Sequence, residues 1–229
     1  MKYAQITLLT IIFLVSCQPD VYRTEKIPKI DKSLDQEIVD TYNSSDLADK
    51  LNYRIFRMAM VGFYNIKVPK KNVLTIIDYS RPSTEKRLFV IDLIDQKLLF
   101  NTLIAHGKNS GENLATVFSN VPESKTSSLG FFITAETYMG GNGYSLRLDG
   151  IEKGINHNAR KRDIVIHKAD YVSTDFIEKE GRLGRSWGCP ALPNEISKKI
   201  IDTIKEGTCI FIYGNDKYYL EKSNYVEIQ

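Results

Sequence analysis

Between residues 73 and 105 the apolar side chains fall into short extended blocks, and this constrains the fold more than any other feature of the chain. The blocks are Val73-Leu74-Thr75-Ile76-Ile77-Asp78, residues 87–93 and residues 97–105, with Asp95-Gln96 as the turn between the last two. β-Branched and aromatic residues bounded by polar turns predict a meander of antiparallel strands. Further strand patterns at 131–135, 145–148, 163–167 and 208–213 make the body mainly β. With 229 residues, 42% of them hydrophobic, the chain can bury one sizeable core, and no composition shift divides it into two. Its 31 Lys and Arg against 28 Asp and Glu leave a formal charge of +3, too small a field to hold nucleic acid.

Helical patterning precedes the meander. Ser44-Ser45-Asp46 offers capping chemistry, and Leu47, Leu51, Ile55, Ala59 and Phe63 recur near helical spacing, so the pattern predicts a helix over 46–64 and a shorter one over 33–42. Together they form an N-terminal helical region, 33–66, ahead of a second region, 67–229. A later helix opens at Asn194 as cap, carries Ile196, Ile200, Ile201 and Ile204 on one face, and ends before Gly207. The glycine-rich Met139-Gly140-Gly141-Asn142-Gly143 reads as a mobile loop. At the start of the chain, Lys2 and an apolar run from Ile6 to Val15, too short to span a bilayer, read as an export signal. Leu14-Val15-Ser16-Cys17 resembles the lipobox of bacterial lipoproteins. That resemblance implies a signal peptide over 1–16 and lipid on Cys17. A polar tether then runs over 17–32, and the same resemblance implies that Gln18, in place of Asp after the cysteine, favours the outer membrane, on its periplasmic side.

With Cys17 lipidated, Cys189 and Cys209 remain in an oxidising compartment, where they either pair or stay reduced. Cys209 lies in the apolar strand pattern Thr208-Cys209-Ile210-Phe211-Ile212-Tyr213 and reads as core. Cys189 instead lies in Ser186-Trp187-Gly188-Cys189, a turn that no core position requires. A thiol becomes a strong nucleophile as thiolate, which takes a nearby base or an electropositive site. His167 follows Asp163-Ile164-Val165-Ile166, where a strand opens into a loop, and His106 likewise follows a strand. Gly188 lets the turn adopt a conformation other residues resist and leaves backbone N–H groups at Gly188 and Cys189 free to hold an oxyanion. Arg182 and Arg185 favour the thiolate, and Arg185 can hold a substrate carboxylate. Against this stand blander readings: a histidine at a strand end is often a hydrogen-bonded structural residue. Cys189 with His106, His157 and His167 are zinc-ligand types, but their spacing matches no compact metal pattern, and neither metal nor cofactor is expected.

His167, then Ser186-Trp187-Gly188-Cys189, then Pro193-Asn194-Glu195 and a helix closing at Gly207-Thr208, resembles the catalytic end of the YkuD-type L,D-transpeptidases. The similarity extends over Ser80-Arg81-Pro82-Ser83, Ala105-His106-Gly107-Lys108, Ser127-Ser128-Leu129-Gly130 and residues 166–173, and points to the murein L,D-transpeptidase catalytic domain branch. It implies an antiparallel β-sandwich or open barrel with a helix after the catalytic cysteine and a catalytic domain within 67–229. The implied substrate is a peptidoglycan stem tetrapeptide, cut before its terminal D-alanine. The implied catalytic residues are Cys189 as nucleophile, His167 as base, Ser186 and Gly188, with the backbone N–H groups of Gly188, Cys189 and Trp187 as candidates to hold the oxyanion. Arg185, Trp187, Tyr138, Ser128, Gly130 and His106 are the candidates for the substrate groove. Trp187 stands where most of the wider family has histidine, and eighteen residues separate His167 from Ser186, slightly more than usual. Transfer to an amine would crosslink the wall; transfer to water would make an L,D-carboxypeptidase. A third reading, from a different class, is an inactive lipoprotein that binds the wall or a partner; the enzyme itself is expected to be a monomer.

Overall fold

The computed structural model describes residues 32–67 and 70–226. The expected signal peptide over 1–16, the lipidation site Cys17 and all of the tether but Lys32 lie outside the described residues. Two helices, α1 (Lys32–Ser44) and α2 (Tyr53–Asn65), lead into β1 (Val73–Asp78), β2 (Leu88–Asp92) and β3 (Lys97–Thr102). A 3₁₀ turn at Lys108–Ser110 and a long irregular segment then reach β4 (Gly130–Gly140), β5 (Gly143–Gly150) and β6 (Val165–Lys168). The chain ends with α3 (Thr174–Glu180), β7 (Ala191–Leu192), α4 (Asn194–Ile204), β8 (Cys209–Tyr213) and α5 (Lys217–Lys222).

All eight strands join one curled sheet in the order β3-β2-β1-β8-β4-β5-β6-β7, so the body is mainly β as the sequence patterns imply. Most pairings are antiparallel; β1 with β8 and β6 with β7 run parallel. The central strands carry apolar residues on both faces, and β8 is buried throughout. Its Phe211 ring stacks on Phe131 of β4 with centroids 4.5 Å apart. Helix α2 packs on β1 and β8, and α4 on β5 and β6. Gly62 sits inside α2 because a Cβ there would meet the Phe131 ring at 1.9 Å, so the helix reaches the sheet only where it has no side chain.

Three local expectations change. The helix expected over 46–64 begins at Tyr53: the Asn52 side chain accepts from Arg54 N at 2.9 Å and caps it. Ser44 and Ser45 instead close α1, and Asp46 turns away with φ +57°. Leu47 and Leu51 are buried, but from that turn, which is why their spacing imitates a helix. The segment expected as a mobile loop at 139–143 is a tight hairpin, with Gly140 opposite Gly143 and Gly141-Asn142 between them. Helix α4 starts at Asn194 but is not capped by it; its side chain donates to Asp170 Oδ1 at 2.6 Å. Helices α3 and α5, short and without a long apolar stripe, were not expected; Ser173 and Asp216 cap them.

Arg87 and Glu152 are among the polar residues buried within this frame. Arg87, fully buried, donates to Ile104 O (2.8 Å) and Arg81 O (2.9 Å) and to His106 Nδ1 (2.8 Å). Glu152, buried under α5, accepts from Phe131 N (2.7 Å), Tyr219 Oη (3.3 Å) and Ser223 Oγ (2.5 Å), tying the end of the chain to β4.

Candidate active site

The parallel pairing of β6 with β7 sets His167 opposite Ala191, and His167 N donates to Pro190 O at 3.4 Å. The turn that carries Cys189 is thereby held against the strand that carries His167. Two bridges, Ala105 with Ala191 and Gly107 with Ser186, fasten the turn on its other side to the segment leaving β3. Both Cys189 and His167 line one cleft of about 960 Å³, together with Lys125, Arg162, Tyr171, Arg185 and Trp187.

The turn is fixed by its own residues. Ser186, 5% exposed, donates its hydroxyl to Cys189 O at 2.6 Å and accepts from Gly188 N at 3.0 Å. Gly188 has φ +127°, and a Cβ there would meet Thr126 O at 2.8 Å, so both the conformation and the space exclude a side chain. Because the Gly188 N–H is engaged by Ser186, it is not free for an oxyanion. Nothing among the described residues accepts from the N–H groups of Trp187 and Cys189.

Burial pushes the Cys189 thiol above its ordinary value, opposed by the Val165 N–H, 3.5 Å from Sγ, and by the Arg162 guanidinium. Sγ also lies 3.4 Å from Asp163 O. His167 is buried, which pulls its imidazole below the usual range. Its Nδ1 is 2.8 Å from Lys168 O; a carbonyl only accepts, so the proton is on Nδ1 and the lone pair on Nε2. Both shifts favour the uncharged thiol and the uncharged imidazole, and nothing among the described residues engages Nε2.

The remaining expected site residues divide. Arg185 lines the cleft, but its guanidinium donates to Glu112 Oε1 at 2.6 Å. Trp187 is 75% exposed at the mouth. Ser128, Gly130 and Tyr138 do not line the cleft. Ser128 is buried between Ser119 O and Arg162, and Gly130 packs on Glu152. Tyr138 lies on the far part of β4 under Arg147. His106 is fully buried rather than in the groove: Arg87, which has no acceptor, donates to its Nδ1, and its Nε2 faces Gly111 O at 3.2 Å. His157 is bound through Nδ1 to Gly154 N and Asn120 and stands apart from both.

Sequence reasoning passed over Arg162 and Tyr171. Arg162 is held by Ser119 O, Ser124 Oγ, Thr126 O and Ser128 Oγ, which aim its charge at the thiol's surroundings. Tyr171 lines the cleft, and burial with the nearby Cys189 pushes its hydroxyl up to about 12. The basic run Arg160-Lys161-Arg162, directly ahead of the strand that bears His167, was the available signal for the first.

Among known proteins, the family model described as the L,D-transpeptidase catalytic domain matches residues 47–213. No curated protein matches the chain. Among solved structures, an L,D-transpeptidase from Mycobacterium smegmatis is 14% identical with a TM-score of 0.39, over 63% of this chain and 59% of its own. One from Mycobacterium tuberculosis H37Rv is 12% identical with a TM-score of 0.40, over 63% of this chain and 58% of its own. A third, from Stackebrandtia nassauensis, is 17% identical with a TM-score of 0.37, over 79% and 77%. The chain thus spans less than two thirds of the two mycobacterial chains. The family match covers well over half of the sequence and includes both Cys189 and His167, and the chain accordingly belongs to the L,D-transpeptidase catalytic domain family.

Proposed function

We propose that the protein is a cysteine-dependent L,D-transpeptidase that acts on peptidoglycan stem tetrapeptides and crosslinks the cell wall through a thioester on Cys189. The observation that carries this is the placement of Cys189 and His167 in one cleft, with nothing among the described residues engaging His167 Nε2. In the cycle, Nε2 of His167 takes the thiol proton as sulfur attacks the carbonyl of the third stem residue. The N–H groups of Cys189 and Trp187 receive the developing oxyanion. The imidazolium then protonates the departing amine, and D-alanine leaves. An amino group of a second stem, deprotonated by His167, attacks the thioester and regenerates the thiol. Arg162 stabilises negative charge on sulfur, and Ser186 with Gly188 holds the turn in register. The same residues would serve water as acceptor, which makes L,D-carboxypeptidase activity the second reading; Lys161 and Lys125 around the cleft do not select between acceptors. Lipid on Cys17 would hold the enzyme at the envelope.

Incubating the protein with a disaccharide-tetrapeptide and following intact mass tests the reading. The expected result is an acyl adduct on the wild type, absent from Cys189→Ala, with D-alanine release and a crosslinked dimer. Tripeptide without dimer would establish the hydrolase. No adduct and no D-alanine, with wall binding retained in Cys189→Ala, would leave a binding lipoprotein.

A further inference from the structure

Trp187 is placed two residues before the nucleophile, lines the cleft and yet leaves three quarters of its surface in water. Tryptophan is enriched where one side of the ring meets a partner and the other stays wet. One contact is specific: the Lys125 ammonium lies 4.8 Å from the ring centroid. Lys125 is held to that position by its backbone, which adopts φ +56° and accepts from Asn109 N at 3.0 Å through its carbonyl. Glu123 (φ +60°) and Asp163 (φ +52°), also on the cleft wall, share this left-handed conformation, so three of the six such non-glycine residues among those described surround this mouth. Strain of that kind persists where surrounding structure enforces it, and it concentrates at binding sites.

The chemistry of the wall says what the ring meets. Small-molecule pockets are ordinarily lined by apolar groups with a few polar ones. This cleft mixes the two: lysines, arginines and carboxylates stand on a wall that also carries Pro122, Tyr171 and the exposed face of Trp187. A pyranose ring fits this mixture: its C–H face covers the indole, and its hydroxyl and acetamido oxygens meet the cations. Reach agrees. Three stem residues in extended form span about 10 Å from the attacked carbonyl back to the sugar. Two residues from Cys189 to Trp187 span at most about 7 Å, and the indole reaches further.

We propose that Trp187 and Lys125 form a sugar subsite that holds the amino-sugar ring bearing the stem peptide, so that the cleft selects glycan-linked stems over free peptide. This rests on the proposed function for the substrate, but its test does not need turnover. Trp187 is the chain's single tryptophan, so its fluorescence reports the subsite alone. The full chain carrying Cys189→Ala is titrated with disaccharide-tetrapeptide, with the disaccharide alone and with the free tetrapeptide. A saturable emission change with the two sugar ligands and none with the free peptide is expected. An equal change with the free peptide, or no change with any of the three, overturns the subsite. D-Alanine release by the wild type from the same substrates then shows separately whether the transpeptidase reading stands. In the active protein, the ratio of kcat/KM between glycan-linked and free tetrapeptide is expected to be about tenfold. It falls to about one in Trp187→Ala and is largely kept in Trp187→Phe, where a flat ring remains. A ratio near one in the wild type, or a Trp187→Ala loss equal on both substrates, overturns the proposal.

Discussion

Behind the turn that carries Cys189, Arg87 is buried with neutral acceptors around its guanidinium; beneath α5, Glu152 is buried with neutral donors around its carboxylate. Both satisfy the demand that a buried polar group be hydrogen-bonded. They differ in what each can do when the charge becomes costly. Burial lowers Arg87 only to about 10, so it stays charged at neutral pH and must keep every acceptor. Burial raises Glu152 to about 7 against its hydrogen bonds, so it can shed its charge by taking a proton. The region next to the chemistry is thereby locked by a permanent cation, and the region at the chain's end by a group that titrates.

The sharpest way to break this contrast is Arg87→Met. It strands two carbonyls and His106 Nδ1 in a dry site, and a loss of about 4 kcal/mol is expected from the urea midpoint at pH 7. A loss below 1 kcal/mol would show that the guanidinium is not the lock. Glu152 gives the next effect. Its folded value lies above its unfolded one, so its contribution is complete below about pH 4.3 and is lost as pH rises through 7, by about 3 kcal/mol. Glu152→Gln should flatten that slope in chemical denaturation across pH 4.5 to 8. His106 has the opposite sign: burial, then Arg87, pulls it to about 4. Its contribution is present above the unfolded value of about 6.5, and about 2 kcal/mol is lost by pH 5. The Glu152→Gln background, in which the opposing slope is gone, is where His106→Gln should abolish it. Smallest is the surface pair of Glu112 with Arg185, both reached by solvent. Glu112→Gln should leave the denaturation midpoint in place while lowering KM for the stem peptide by freeing Arg185; an unchanged KM would remove Arg185 from the groove.

Legibility follows the same division between local and distant causes. The strands were readable because period-two patterning is local, as in 73–78 and 208–213. So was the turn at 186–189, because Gly188 and Ser186 act within it. The start of α2 was not, because Leu47 and Leu51 repeat at helical spacing while serving a buried turn. His106 looked like a cleft residue since it leaves a strand just as His167 does; its partner Arg87, nineteen residues away, decides otherwise. Arg162 escaped notice for the same reason: its role exists only once the segment 119–128 wraps it.

The place of β8 has a consequence for how the molecule comes together. Formed from residues 209–213, it lies between β1 and β4 in the middle of the sheet. A chain shorter than this has two half-sheets, β3-β2-β1 and β4-β5-β6-β7, each with a bare central edge. Assembly is therefore decided by one late, long-range insertion, and folding should be slow for the chain's size. A truncation just before Cys209 would leave Cys189 and His167 in the sequence, yet convert a cooperative fold into two sticky fragments.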